Sequence, residues 1–115
     1  MKEQNIILEK SFEFALEIIE LYKILQSNKE FVLSQQLLRS GTSIGANIEE
    51  ATAAASRKDF IHKMTISSKE ARETKYWLKL LNQSKLVELN YDNYLLKIDE
   101  IIKILTAIVK TSQNS

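Results

Sequence analysis

The hydrophobic positions of this chain recur at alternating steps of three and four residues in four separate segments. This spacing keeps one face of an α-helix turned towards a core, so each segment predicts an amphipathic helix. The sequence contains no proline and only two glycines, so few residues would interrupt long helices. Because short connections favour antiparallel neighbours, we predict an all-α fold, an antiparallel up-down-up-down four-helix bundle forming a single domain over residues 1–115.

The first helix is predicted from about Asn5 to Gln26. The second is predicted to begin near Ser27, because Ser27 and Glu30 have the spacing of a capping box. Two neighbouring apolar stripes give the first helix a wide hydrophobic face: Leu8, Phe12, Ala15, Ile19 and Tyr22 in one, and Phe14, Ile18, Leu21 and Leu25 in the other. The second helix is predicted to turn inward a stripe with several small side chains: Leu37, Gly41, Ile44, Ile48, Ala51 and Ala55.

The third helix is predicted to start after a second capping-box pair, Ser56 and Asp59, and to end near Asn82. Asn90 is predicted to cap the fourth helix. The inward stripe of the third helix is predicted to be Phe60, Met64, Ala71, Leu78 and Leu81. That of the fourth is predicted to be Tyr91, Tyr94, Leu95, Ile98, Ile101, Ile102, Leu105, Ile108 and Val109, followed by a polar tail over residues 111–115.

Gly41 and Gly45 are predicted inside the second helix, where each costs about 1 kcal/mol relative to alanine. With Ser40, Ser43 and Ala46 they form a small-residue surface on which another helix can pack closely. The sequence leaves open whether that helix belongs to the same bundle or to another subunit. Because the two glycines match neither the dinucleotide-binding nor the P-loop spacing, no phosphate-binding loop is predicted.

Four polar residues follow one another at steps of four, four and three and so line one side of the second helix: Arg39, Ser43, Asn47 and Glu50. If this side is buried, Arg39 and Glu50 require charged or hydrogen-bonding partners. Candidates on the third helix are Glu70, Arg72 and Glu73. We predict a structural polar network within or between subunits, and a solvated helix face is the alternative.

Positive charge is concentrated in the third helix. The formal net charge of the chain is +1, yet residues 57–85 carry eight basic and three acidic groups, a net of +5. Basic groups beside an aromatic ring suit a nucleic-acid backbone and its bases, and the fields of several such helices would add in a symmetric oligomer. The candidate nucleic-acid-binding residues are Arg57, Lys58, His62, Lys63, Lys69, Arg72, Lys75, Tyr76 and Lys79. A solvated charged face is the alternative interpretation.

The residue inventory argues against most enzymes. With no cysteine, the chain has no disulfide, thiolate metal site or cysteine nucleophile, and its single histidine, His62, argues against a histidine metal cluster or a catalytic triad. No apolar run approaches the roughly 20 residues that span a membrane, and residues 1–10 do not have the apolar stretch of a secretory signal. We therefore expect a cytoplasmic protein without cofactor, metal or membrane attachment.

Arg57 and His62 form an Arg-x4-His spacing that resembles the pattern of HEPN-type ribonucleases, helical proteins in which such a pair assists phosphodiester cleavage. Five residues along one helix place two side chains about 140° apart, which separates them on the helix surface. We therefore predict that the chain is not an enzyme, with an HEPN-like ribonuclease as a less favoured alternative.

The segment QLLRSGTSIGANIEEATAAASRKDF, residues 36–60, resembles the motif of the 23S rRNA-intervening-sequence proteins, and KEARETKYWLKLL, residues 69–81, extends the resemblance. The matching positions are Gln36, Arg39, Ser40, Ser43, Ile44, Asn47, Ile48, Glu50, Ser56, Phe60, Ala71, Glu73 and Leu78. Many relatives carry glycine where this chain has Ala51.

The resemblance implies an antiparallel four-helix bundle that assembles into a closed homo-oligomeric ring, pentameric in members of the family, and it names no reaction. Similar bundles serve as accessory proteins of diversity-generating retroelements, where they bind nucleic acid and a reverse transcriptase. Our first hypothesis is a non-enzymatic homo-oligomer that binds RNA or DNA through the third helix. The alternative is a scaffold that docks another protein and binds no nucleic acid.

Overall fold

The computed structural model of the chain describes the backbone of residues 2–114 and the side chains of residues 5–114. Four helices follow one another in this part of the chain: α1 (Lys2–Ser27), α2 (Leu33–Thr52), α3 (Arg57–Ser84) and α4 (Asp92–Gln113). Each helix packs on its neighbours in the chain and α4 also packs on α1, so α1 and α3 lie diagonally opposite each other. The predicted all-α four-helix bundle is confirmed.

Side-chain contacts between helices fix their directions. Lys97 of α4 pairs with Glu17 of α1, and Glu100, further along α4, pairs with Lys10, earlier in α1. These two pairs can form together only if α4 runs opposite to α1. The same reversal holds for α1 with α2, α2 with α3 and α3 with α4. The helices therefore alternate in direction along an elongated bundle of 46 × 20 × 19 Å.

One apolar core receives side chains from all four helices. On α1, only the second predicted stripe is fully buried, namely Phe14, Ile18, Leu21 and Leu25, together with Ile7. The first predicted stripe lies at the edge of the core, and its Phe12 is 63% exposed. The wide face predicted for α1 is therefore half core and half surface.

Tyr91, which directly precedes α4, also belongs to this core. Burial raises the pKa of its phenol, whose hydroxyl donates to the Val87 carbonyl at 2.8 Å.

The predicted start of the second helix is wrong, because Ser27 belongs to α1. The Ser27 hydroxyl donates back to the Ile24 carbonyl at 2.7 Å, and Lys29, in the left-handed region with φ of 63°, follows the end of α1. α2 instead begins at Leu33. Its first turn is capped by Glu30, whose carboxylate accepts from the backbone N–H groups of residues 32, 33 and 34 at 3.1, 3.1 and 2.6 Å.

The predicted start of α3 is confirmed, since the Ser56 hydroxyl accepts from the Asp59 backbone N–H at 3.1 Å. Ala55 was predicted to face inward from the second helix, but α2 has ended at Thr52 and Ala55 is exposed. At α4 the N-cap position is residue 91, one later than predicted, while the Asn90 side chain accepts from the backbone N–H of residue 92 at 3.0 Å.

The predicted polar tail over residues 111–115 is helical as far as Gln113. Residue 115 lies outside the described residues, as does residue 1 of the predicted single domain. Across the described chain, none of the helices combines the length and apolarity that crossing a bilayer requires.

Gly41 and Gly45 face α1 of the same bundle. A Cβ atom added to Gly41 would lie 2.9 Å from Cγ2 of Ile18, and one added to Gly45 would lie 3.4 Å from Oγ of Ser11. The missing side chain of Gly41 therefore lets α1 approach α2 closely, whereas a Cβ atom at Gly45 would be in ordinary contact with α1. The helix that packs on the two glycines therefore belongs to the same subunit, while Ser40 contacts Thr74 of α3 and Ala46 is exposed.

Candidate nucleic-acid interface

One face of α3 is turned to solvent along most of the helix. Six of the candidate residues are exposed and share this outer face, because they are separated by four, seven, three, four and three positions: Lys58, His62, Lys69, Arg72, Tyr76 and Lys79. At 1.5 Å per residue, this set extends roughly 32 Å along the helix. Among the described residues, Lys58, Lys69 and Lys79 form no ion pair. We call these six residues the outer face of α3.

Two other candidates, Lys63 and Lys75, lie on the flanks of α3 instead. Lys63 pairs with Glu50 of α2 at 2.7 Å, and Lys75 pairs with Asp99 of α4 at 2.7 Å. The hydrogen bond to Glu50 and the charge of that carboxylate raise the pKa of Lys63 above its ordinary value. Both lysines therefore tie α3 to a neighbouring helix, and their charges are neutralised locally. Arg57, the ninth candidate, is exposed at the first residue of α3.

Two of the three acidic residues of α3, Glu70 and Glu73, turn away from the outer face, and the third, Asp59, is exposed in the first turn. Glu70 pairs with Arg39 of α2 at 3.2 Å, and the same guanidinium contacts Glu73. The indole N–H of Trp77 donates to Glu73 at 3.0 Å. Because both carboxylates face α2, they do not interrupt the positive charge on the outer face of α3.

The polar residues of α2 are divided between two kinds of contact. Arg39 and Glu50 each reach an oppositely charged side chain on α3. Ser43 instead donates to the Arg39 carbonyl at 2.6 Å, and Asn47 donates to the Ser43 carbonyl at 2.8 Å, so both hydrogen-bond their own helix. Arg72, a candidate partner for this network, faces α4, where its guanidinium donates to Thr106 at 3.3 Å.

Two buried hydroxyl contacts between α2 and α3 were not predicted. The Ser67 hydroxyl donates to the Ile44 carbonyl at 2.9 Å, and the Thr74 hydroxyl donates to Ser40 Oγ at 2.9 Å. Ser40, Ser67 and Thr74 are all fully buried. The spacing along α3 could have revealed them, because Ser67 and Thr74 lie three or four residues from the predicted core positions Met64, Ala71 and Leu78.

The family model for the 23S rRNA-intervening sequence protein matches residues 3–107. The chain belongs to this family. A crystal structure at 1.70 Å resolution, of a protein with unknown function from the S23 ribosomal protein family from Bacteroides thetaiotaomicron VPI-5482, is similar to it. That protein is 50% identical in sequence and superimposes with a TM-score of 0.90, over 94% of this chain and 98% of the other. No curated protein matches the chain.

Membership of the 23S rRNA-intervening sequence protein family supplies no reaction, so the chemistry of the site has to be inferred from its geometry. Arg57 and His62 are both exposed near the start of α3. Across the described residues, no group of three or more His, Cys, Asp or Glu side chains is placed to hold a metal ion. What the site does present is a long cationic helix face with an exposed aromatic ring.

Proposed function

We propose that this protein is a non-enzymatic homo-oligomer that binds RNA or DNA through the outer face of α3. The observation that supports the proposal is the separation of charge on that helix. Lys58, Lys69, Arg72 and Lys79 share the exposed side, whereas Glu70 and Glu73 are turned towards Arg39 on α2. Along Lys69–Lys79 the outer face therefore presents positive charge without the two glutamates that neighbour it in the sequence, and Asp59 is the acidic residue of α3 that stays exposed, in its first turn.

The chemistry of this face suits a single-stranded region of nucleic acid. Ammonium and guanidinium groups neutralise phosphates and release the counterions condensed on them. Tyr76 is 56% exposed and its ring lies among the basic side chains, where an unpaired base can stack on it. Bases inside a duplex offer no free ring face, so we expect single strands to bind more tightly than duplexes.

The test is a salt series with a fluorescently labelled single-stranded RNA and with its DNA equivalent. For single strands, the slope of log affinity against log salt is about −0.7 per neutralised phosphate, so four cations give roughly −2.8. The double variant Lys69→Glu/Lys79→Glu should weaken binding at least tenfold and flatten this slope. A matched control is Lys23→Glu/Lys29→Glu, which makes the same charge change at exposed lysines outside α3. An equal loss of affinity in the two double variants, or a wild-type affinity that does not change with salt, would contradict the proposal.

A second observation supports self-association. Phe12 and Leu16 of α1 are 63% and 51% exposed, and the half-buried Leu8 and Ile19 adjoin them at helical spacing. We call these four residues the apolar strip of α1. Contiguous exposed apolar residues mark protein contacts in soluble proteins. The proposed assembly is a closed ring, pentameric as the family resemblance implies, with a mass of five times 13.3 kDa, about 67 kDa.

The alternative function, a scaffold that docks a protein partner, uses the same strip and no nucleic acid. Light scattering of the purified protein before and after nuclease and high-salt treatment separates the two functions. Nuclease-sensitive absorbance at 260 nm on an oligomer supports nucleic-acid binding. An oligomer that is free of nucleic acid and does not bind the labelled strands supports the scaffold.

A further inference from the structure

A cleft opens between α3 and α4, beside the outer face of α3. Its volume is about 320 Å³, and Lys69 and Arg72 of α3 line one wall. Lys110 and Thr106 of α4 line the other wall. The cleft therefore extends the positive charge of α3 onto a second helix.

The side chains in this cleft are suited to an anion. Its three cations have different chemistry, because Arg72 presents a planar fork of donors and the two lysines present compact charges. Thr65, Ser68 and Thr106 add hydroxyl groups, and no Asp or Glu lies among the described residues that line the cleft. A phosphate group accepts hydrogen bonds from donors of both kinds, and bonds to charged donors are the stronger ones.

Arg72 is already held at this cleft by a contact between the helices. Its guanidinium donates to the Thr106 hydroxyl at 3.3 Å. A hydroxyl that accepts one hydrogen bond still has its own proton to donate, so Thr106 can orient Arg72 and contact an anion as well. Because the guanidinium is planar and rigid, the contact with Thr106 also fixes the directions of its other N–H groups.

The neighbouring cleft lacks this chemistry, although it shares Arg72. It is lined by Lys75, Asp99 and Lys103, and Asp99 pairs with Lys75 at 2.7 Å. A carboxylate there repels an anion and neutralises one of the cations. The two clefts lie along one groove between α3 and α4 and differ in charge. Lys110 lines the all-cationic cleft, whereas Lys103 lines the cleft that also contains Asp99.

We propose that the all-cationic cleft binds a backbone phosphate of the nucleic acid, with Lys110 of α4 completing a site begun by Lys69 and Arg72 of α3. This inference rests on the proposed function and deepens it. The nucleic-acid interface covers the α3–α4 groove as well as the outer face of α3, and the phosphate lies between the two helices.

Binding of the labelled single-stranded RNA to Lys110→Gln and to the matched control Lys103→Gln tests the proposal. Both variants remove one exposed lysine from α4. Lys110→Gln should weaken binding about threefold to tenfold and make the salt slope shallower by about 0.7, the value for one phosphate contact, whereas Lys103→Gln should keep the wild-type slope. If both variants bind the RNA with the wild-type affinity and salt slope, the proposed phosphate site in the cleft is wrong, and the proposed function still stands.

Inorganic phosphate is the second probe, and it separates a free anion from a nucleic-acid backbone. The backbone amide signals of Thr65, Ser68 and Thr106 are followed by NMR during the titration. If the wild type binds no RNA or DNA but phosphate shifts these signals saturably, and Lys110→Gln abolishes the shifts, the proposed function fails and the anion site stands for free phosphate. If neither RNA, DNA nor phosphate binds, both proposals are overturned.

Discussion

The two glycines of α2 differ in the space that a methyl group would find. At Gly41 the added Cβ would be 2.9 Å from Cγ2 and 3.1 Å from Cγ1 of Ile18, a side chain that is fully buried. At Gly45 the nearest atom, Oγ of Ser11, would be at 3.4 Å, which is ordinary van der Waals contact. Only Gly41 therefore has to be a glycine for α1 and α2 to pack as they do.

We predict opposite effects for alanine at these two positions. Alanine in a helix interior gains about 1 kcal/mol over glycine, so Gly45→Ala should leave stability unchanged or raise it by up to that amount. At Gly41 the overlap with Ile18 costs typically 1–3 kcal/mol, so Gly41→Ala should destabilise the bundle by about 1 kcal/mol net. Urea unfolding followed by circular dichroism measures both. Gly41→Ala at least as stable as Gly45→Ala would contradict the close approach of α1.

At the level of single residues, spacing alone predicted part of the polar network. Helical periodicity put Arg39 on the side of α2 that faces α3, and Glu70 and Glu73 were the candidate partners that it meets. The partner of Glu50 was not predicted, because Lys63 had been assigned to the basic candidates. Which flank of α3 a side chain takes depends on how the neighbouring helices are rotated, and one sequence does not contain that rotation.

At the level of whole helices, periodicity predicted the elements but not all of their ends. The usual signal for a helix C-terminus is a glycine in the left-handed region. In this chain, Lys29 and Lys85 take those positions, with φ of 63° and 57°. Glu30 is buried and caps α2 through its side chain from outside the helix, whereas the predicted capping box used it as part of a first turn. Periodicity and the usual capping residues therefore could not predict where α1 ends and α2 begins.

We predict that the start of α2 depends on the Glu30 carboxylate. Glu30→Ala leaves three backbone N–H groups of the first turn without their acceptor and should destabilise the protein by about 2 kcal/mol. Glu30→Gln keeps one acceptor oxygen and loses the favourable negative charge at a helix N-terminus, so about 1 kcal/mol is expected. The measurement is the free energy of unfolding in urea. Exposed Glu9→Ala on α1 is the control and should change it by less than about 0.5 kcal/mol. A Glu30→Ala protein as stable as the control would show that the cap is not needed.

At the scale of the whole molecule, the diagonal arrangement of α1 and α3 separates two surfaces. The apolar strip lies on α1 and the cationic face on α3, and these helices share no side of the bundle in the described chain. A ring that uses the strip for contacts between subunits can therefore leave the outer face of each α3 free. Repeating that face around the ring would also raise the effective concentration of cationic sites along one strand.

We predict that assembly through α1 strengthens the binding of long strands, because one strand can then contact several subunits. Phe12→Glu/Leu16→Glu places two charges on the apolar strip and should reduce the mass in light scattering to the 13.3 kDa of one subunit, with helicity retained. The matched control is Leu86→Glu/Leu96→Glu, since these leucines are 60% and 71% exposed and lie outside the strip. The control should remain oligomeric. If only the strip variant dissociates, its affinity for a long single strand should fall about a hundredfold, because multivalent attachment is lost, while its affinity for a strand that covers one subunit should not change. A wild-type monomer, or a strip variant that keeps the oligomeric mass, would contradict assembly through α1.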